Sequence, residues 1–262
     1  MSVKKQLKIT FLGTGTSTGV PMIASKNEVR FSEDSKDKRL RSSVMFSWDE
    51  NNYIIDCGPD FRQQMLRANV ESIKGILFSH EHADHIAGFD EIRPYYYRMG
   101  DVPIYSDERV LKALQKRYDY IFATENRYPS APAVAPSVIT KDDVLLFDGV
   151  EVLPIQVMHG DLPILGYRFG NVAYLTDVKS IPEEEKKKLQ GLDVLITTAL
   201  RRESHKTHAN LEEALDLVKE LNPKRAYFSH ISELLGFHED IQKELPENVA
   251  LAYDELEVFV DM

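Results

Sequence analysis

Short runs of β-branched and aromatic residues, closed off by glycine, proline and acidic residues, recur along this chain, and between them lie stretches whose apolar residues fall three and four positions apart. The runs over residues 7–12, 44–48, 53–55 and 73–78 predict strands. Residues 59–70 then predict a helix, with Phe61, Met65 and Leu66 near one face and Pro59 suited to a first turn. Residues 86–99 and 107–116 read as further helices. The second half repeats the style, with strands over 144–147, 150–157, 165–169, 172–175 and 194–197 and helices over 182–189 and 211–221. Asn210 is a natural N-cap for the last of these, which ends before Asn222-Pro223. A strand over 226–229 precedes the segments 234–245 and 256–260. Two strand-rich halves with interspersed helices predict an α+β architecture, a sheet sandwich with helices outside. No internal repeat or Gly/Ser-rich linker divides the chain, so one domain over 1–262 is expected. The charged segment 24–41 is poor in large apolar residues and reads as a long, mobile loop.

Composition narrows the classes. With 43% hydrophobic and 28% charged residues, collagen and wholesale disorder are excluded. The formal charge of -10 argues against a broad nucleic-acid surface, which needs phosphate neutralisation by lysine and arginine. No window is apolar enough for a membrane span, and the N-terminal residues run into a strand without a cleavable apolar stretch, so a cytoplasmic protein is expected. Cys57 is the only cysteine, which rules out an intrachain disulfide and makes any metal site a matter of imidazole and carboxylate.

The strongest chemical feature is His80-Glu81-His82-Ala83-Asp84-His85, placed after the apolar strand and before a predicted helix. In an extended segment residues i and i+2 share a side, so His80 and His82 can converge on one cation. Asp84 and His85 fall where the chain turns into the helix, offset toward a second cation. These donors suit zinc, manganese or iron. Two metals need more ligands, and three residues stand at the ends of predicted strands: His159, Asp177 and His230.

This pattern resembles the metallo-β-lactamase superfamily, in which HxHxDH is followed by single His, Asp and His at later strand ends. The resemblance implies a four-layer αββα sandwich and a two-metal centre. It implies His80, His82 and His159 on one metal, Asp84, His85 and His230 on the other, and Asp177 between them. The segment from Phe11 to Pro21 and the later Lys38-Arg39-Leu40-Arg41-Ser42-Ser43 resemble the branch that contains the cyclic phosphodiesterase of phosphonate breakdown, a relative of ribonuclease Z. Many members of that branch carry a cysteine cluster after the Gly-Val-Pro segment for a separate structural zinc. Here the region reads Met22-Ile23-Ala24-Ser25-Lys26-Asn27, so that zinc should be absent and the loop mobile or rearranged.

A two-metal centre acidifies a bridging water to hydroxide and favours hydrolysis. The resemblance therefore implies a hydrolase, a phosphodiesterase on a small or cyclic phosphodiester. Protonation of the departing alkoxide needs another residue. His208, just before the helix at 211–221, is the choice by comparison with the branch, with His205 behind it and Asp84 as a further proton carrier. Arg39, Arg41, Arg93, Arg201 and Arg202 are candidates for a phosphate clamp, and Gly13, Gly15 and Gly19 for an anion cradle. His238 reads as a surface residue, Cys57 as a packed thiol, and the run Tyr95-Tyr96-Tyr97 as a partly buried helix face. Thioester or lactone hydrolysis, a ribonuclease of the same fold, and a metal-stabilised binding module are the alternatives. A small-molecule partner is expected, with no membrane, and a homodimer is compatible with the sequence.

Overall fold

The computed structural model describes residues 5–262 and arranges their strands in two seven-stranded sheets. In chain order the strands are β1 (Gln6–Gly13), β2 (Ser43–Trp48), β3 (Asn51–Ile55), β4 (Gly75–Leu77), β5 (Val102–Ser106), β6 (Val134–Val138), β7 (Leu145–Phe147), β8 (Val150–His159), β9 (Leu162–Phe169), β10 (Val172–Leu175), β11 (Val194–Thr198), β12 (Arg225–Ser229), β13 (Val249–Leu251) and β14 (Glu257–Asp261). The helices are α1 (Phe61–Arg67), α2 (Ala83–Ile86), α3 (Arg93–Met99), α4 (Glu108–Arg117), α5 (Asp119–Phe122), α6 (Glu183–Lys186), α7 (Leu211–Leu221) and α8 (His238–Glu244). One sheet runs β14-β1-β2-β3-β4-β5-β6 and the other β13-β12-β11-β10-β9-β8-β7. Each half starts with antiparallel pairs and continues with parallel ones, β3-β4-β5-β6 and β10-β11-β12-β13. Parallel strands end on one edge of their sheet, the usual place for a ligand site in such sheets.

Side-chain alternation explains the layers. Val44, Phe46 and Trp48 on β2 face the space between the sheets, where they meet Tyr167, Phe169 and Tyr174. Met45, Ile54 and Ile76 face the other way, onto Phe61, Ile86, Phe89 and Leu114 from the helical segments. On the far side, Leu189, Ala214, Val218 and Ile241 cover the second sheet. The architecture is the four-layer αββα sandwich.

Several local expectations need correction. The helix expected over 86–99 is divided into α2, a 3-10 turn at Phe89–Ile92, and α3. Gly88 donates its N–H to Cys57 O at 2.9 Å, and a Cβ there would lie 2.0 Å from Gly58 O, so the chain must dock on the 57–58 turn before the helix restarts at Arg93. The segment 24–41 is built into the fold through two 3-10 turns, Glu28–Phe31 and Ser35–Asp37. Glu233, buried, accepts from Ser25 Oγ at 2.5 Å and Met22 N at 3.1 Å, and Asp37 accepts from His238 N at 2.7 Å. His238 is thus no surface residue. Its Nδ1 accepts from Arg39 Nη2 at 3.0 Å, and because guanidinium only donates, the imidazole is neutral; burial, then the Arg39 charge, lower its pKa to about 4. Arg39 also donates to Thr14 Oγ1 and Ala252 O, which removes it as a phosphate clamp. Cys57 is a buried free thiol, and α7 has Asn210 as its N-cap in a capping box with Glu213.

Candidate metal centre

Five strand ends and the start of α2 build the site. Asp56 follows β3, the His80–His85 segment follows β4, His159 ends β8, Asp177 follows β10, and His230 follows β12. Asp56, Asp177 and His230 all adopt positive φ, at 67°, 56° and 53°. Such left-handed conformations are uncommon outside glycine and concentrate at functional sites.

The side chains form two neighbouring groups, with Asp177 of the second also close to His159 of the first. His80, His82 and His159 make the first; Asp84, His85, Asp177 and His230 make the second, and within each group the ligand atoms lie within 4.8 Å of one another. His80 Nε2 is 2.9 Å from His82 Nδ1, as the shared face of an extended segment requires. His85 Nε2 lies 3.1 Å from Asp84 Oδ2 and 3.3 Å from Asp177 Oδ2, and His230 Nε2 lies 3.2 Å from Asp177 Oδ1. His159, Asp177 and His208 form a third group of the same tightness.

A layer of partners sets the tautomers. Ser79 Oγ donates to Asp56 Oδ2 at 2.7 Å and so accepts from His80 Nδ1 at 3.0 Å. His85 Nδ1 donates to Asp56 Oδ2 at 2.7 Å, His159 Nδ1 donates to Thr207 O at 2.9 Å, and His230 Nδ1 donates to Ser42 Oγ at 3.2 Å, since Ser42 Oγ–H is given to Gly15 O. Each of these four rings therefore keeps the Nε2 lone pair for the cluster, the arrangement that metal-binding histidines use. His85 Nε2 is buried without any hydrogen-bond partner. Donor type, tautomer and this orphaned nitrogen fit divalent cations.

Electrostatics agree for three of the four rings. Burial lowers the His80 and His159 pKa values and takes His230 to about 4, favouring neutral imidazole. Burial opposes the charge of Asp177, yet His230, His85 and the hydrogen bond from His208 outweigh it and hold the carboxyl well below its usual range. His85 differs: burial is outweighed by Asp177, Asp56 and Asp84 and its pKa rises, so these carboxylates favour a positive charge at its Nε2, from a proton or from a bound cation.

His208 stands half-buried beside the cluster, its Nε2 3.0 Å from Asp177 Oδ1 and its Nδ1 3.1 Å from His205 Nδ1. The other proposed clamps are engaged: Arg41 on Asp60, Arg93 on Asp90 and Ser130 O, Arg201 on Glu203 O and Ser204 O, Arg202 on Glu244. Gly15 and Gly19 spend their N–H groups on Leu40 O and Thr16 O, and a Cβ at Gly13 would meet Arg41 O, so close packing accounts for the glycines. The sequence reading missed Asp56, Ser42, Ser79 and Thr16, whose Oγ1 is 3.2 Å from His230 Nε2. An acidic residue directly after the buried strand Tyr53-Ile54-Ile55 was the one available signal for Asp56.

Fold and site together define a hydrolase class built around strand-end histidines and aspartates. A family profile described as Beta-lactamase superfamily domain matches residues 51–231, and the chain belongs to that superfamily. A solved structure of a new diphosphatase from the PhnP family is 38% identical, with a TM-score of 0.91 over 98% of both chains. The octanoyltransferase of Porphyromonas gingivalis (strain ATCC BAA-308 / W83) is 36% identical over 257 residues, 97% of this chain and 52% of that protein. Ribonuclease Z of Methanococcus maripaludis (strain C6 / ATCC BAA-1332) is 26% identical over 201 residues, 75% of this chain and 57% of that protein. The chain spans about half the length of the curated relatives it matches. No described helix is long and apolar enough to cross a membrane.

Proposed function

We propose that this chain is a dinuclear metal-dependent phosphohydrolase that cleaves a small phosphodiester or a diphosphate. The observation that carries the reading is the pair of adjacent ligand groups, with Asp177 of the second beside His159 of the first. His80, His82 and His159 would hold one cation and Asp84, His85 and His230 the other, with Asp177 between them. Zinc suits these nitrogen and oxygen donors best, and manganese or iron shares them. When bound, the cations supply phosphoryl polarisation and acidify a water. The protein's own share is orientation and proton movement. Asp56, Ser79, Ser42 and Thr207 O hold the imidazoles in one tautomer. His208 carries a proton on Nε2, given to Asp177 Oδ1 in this arrangement, and is placed to pass it to a leaving oxygen. His205 and Thr207 stand against His208 Nδ1 and hold the ring from behind.

The similarity to a PhnP-family diphosphatase supports phosphorus as the centre attacked. A second reading, transfer or hydrolysis of an acyl group, draws on the octanoyltransferase, but that name belongs to a protein of which 52% is matched and can describe its other part. The charge of -10 favours a small substrate over the nucleic acid of ribonuclease Z. The test is a comparison of zinc- and manganese-loaded protein on bis(p-nitrophenyl) phosphate, a nucleotide-linked diphosphate, p-nitrophenyl phosphate and an octanoyl thioester. Preference for either of the first two is expected; preference for the thioester would replace this reading with acyl chemistry.

A further inference from the structure

The two sheets are laced together beside the site by β9, whose alternate residues reach the segment that follows β4. Tyr167 Oη–H donates to Phe78 O at 2.7 Å, and two residues on, Leu165 N–H donates to Ser79 O at 3.1 Å. The next position with this period is Pro163, which has no N–H to give. Here the segment also turns away into His80-Glu81-His82. The gap is spanned by Arg109 of α4: its Nη2 donates to Pro163 O at 2.8 Å, and its Nε lies 3.3 Å from Glu81 Oε2. Asp107, the N-cap of α4, braces the same guanidinium at 3.4 Å, and Arg117 at the other end of the helix donates to Glu81 O at 3.3 Å.

These contacts have a direction. Glu81 sits between His80 and His82, while Pro163 pairs across the β8–β9 hairpin with Met158, next to His159. Arg109 therefore joins the loop bearing two histidines of the first group to the hairpin bearing the third, and its hydrogen bonds and ion pairs go to Pro163, Asp107 and Glu81 rather than to the second group. We propose that Arg109 is a positioning residue that closes the three-histidine half of the centre across the two sheets, a role that rests on the metal-centre reading above. The guanidinium hydrogen-bonds the Pro163 carbonyl through Nη2 while its Nε edge pairs with the Glu81 carboxylate by charge alone, a spread of contacts that a compact lysine ammonium reproduces less well.

The test measures zinc affinity of metal-free protein against a chromophoric chelator, with no turnover involved. Arg109→Ala is placed in two backgrounds: His230→Ala, which cripples the second group, and His159→Ala, which cripples the first. Partners behind metal ligands commonly change affinity by 10- to 100-fold, so a loss of about tenfold is expected in the first background and less than twofold in the second. Arg109→Lys should lose less than Arg109→Ala, and Glu81→Gln should follow the same selectivity, which keeps the question answerable if Arg109→Ala folds poorly by circular dichroism. No loss, or equal loss in both backgrounds, overturns the positioning role alone. Binding of fewer than two zinc ions by the unsubstituted chain overturns the metal-centre reading and the role with it.

Discussion

Asp56 makes the sharpest single-residue test, because one fully buried carboxylate serves three donors. It accepts from Ser79 N at 2.8 Å, Ser79 Oγ at 2.7 Å and His85 Nδ1 at 2.7 Å. Removing an acceptor leaves each buried donor with a cost of about 1–3 kcal/mol, so Asp56→Ala should lose about 4 kcal/mol of stability. That is a large part of the 5–15 kcal/mol typical of a domain. Asp56→Asn separates folding from metal binding. With its oxygen at the Oδ1 position, its amide N–H faces His85 Nδ1 and forces that ring's proton onto Nε2, where it occupies the lone pair a cation needs. With the amide reversed, an N–H faces Ser79 N–H instead. Asp56→Asn should therefore fold, with a melting temperature within a few degrees of the unsubstituted metal-free protein, yet bind the second-group cation about 10- to 100-fold more weakly. Zinc titration of the metal-free protein beside thermal unfolding checks both numbers. Unchanged zinc affinity in Asp56→Asn would refute the tautomer argument.

Other consequences can be checked independently. His208→Ala should keep two metals while losing roughly 10²–10⁴-fold turnover on substrates with poor leaving groups and much less on nitrophenyl esters; a drop in metal content would instead make His208 a ligand in the third group. Gly58→Ala would put a Cβ 2.0 Å from Asp84 O, so unfolding measurements should show a loss of about 1–3 kcal/mol together with reduced metal content, and a silent substitution would contradict the packing of α2. His238 has a native pKa lowered to about 4 against 6.5, so the unfolded chain binds its proton first as pH falls. Stability from this residue is complete above pH 6.5 and drains away between pH 6.5 and 4, by an amount on the order of 3 kcal/mol. The thermal midpoint of His238→Gln should accordingly fall less steeply than that of the unsubstituted protein over that interval; parallel curves would remove His238 from the acid response.

Much of the layout was legible because the strands are buried on both faces and their β-branched runs are short and well punctuated. The positions of His159, Asp177 and His230 could be read for the same reason: each stands where an apolar run stops. What escaped had physical causes. β6 contains Pro136 and lies exposed at a sheet edge, and β13 has three residues, so neither carries an alternating pattern long enough to notice. The break between α2 and α3 depends on Gly88 meeting Gly58, a contact across 30 positions of sequence. His238 read as a surface residue and Arg39 as a phosphate-clamp candidate, since nothing local in sequence announces a buried imidazole accepting from a guanidinium 199 positions away. The partners that orient the histidines are likewise spread over the residue before β2, the residue after β3 and the loop before α7, and only the fold brings Ser42, Asp56 and Thr207 to one place.

The account's central claim is most directly tested by stripping the protein of metal and following bis(p-nitrophenyl) phosphate hydrolysis as zinc is returned in measured equivalents. A rate that is absent without metal and reaches its plateau at two equivalents per chain is the predicted result. Full activity in the stripped protein, or a plateau at one equivalent, would contradict a dinuclear centre held by the two adjacent ligand groups.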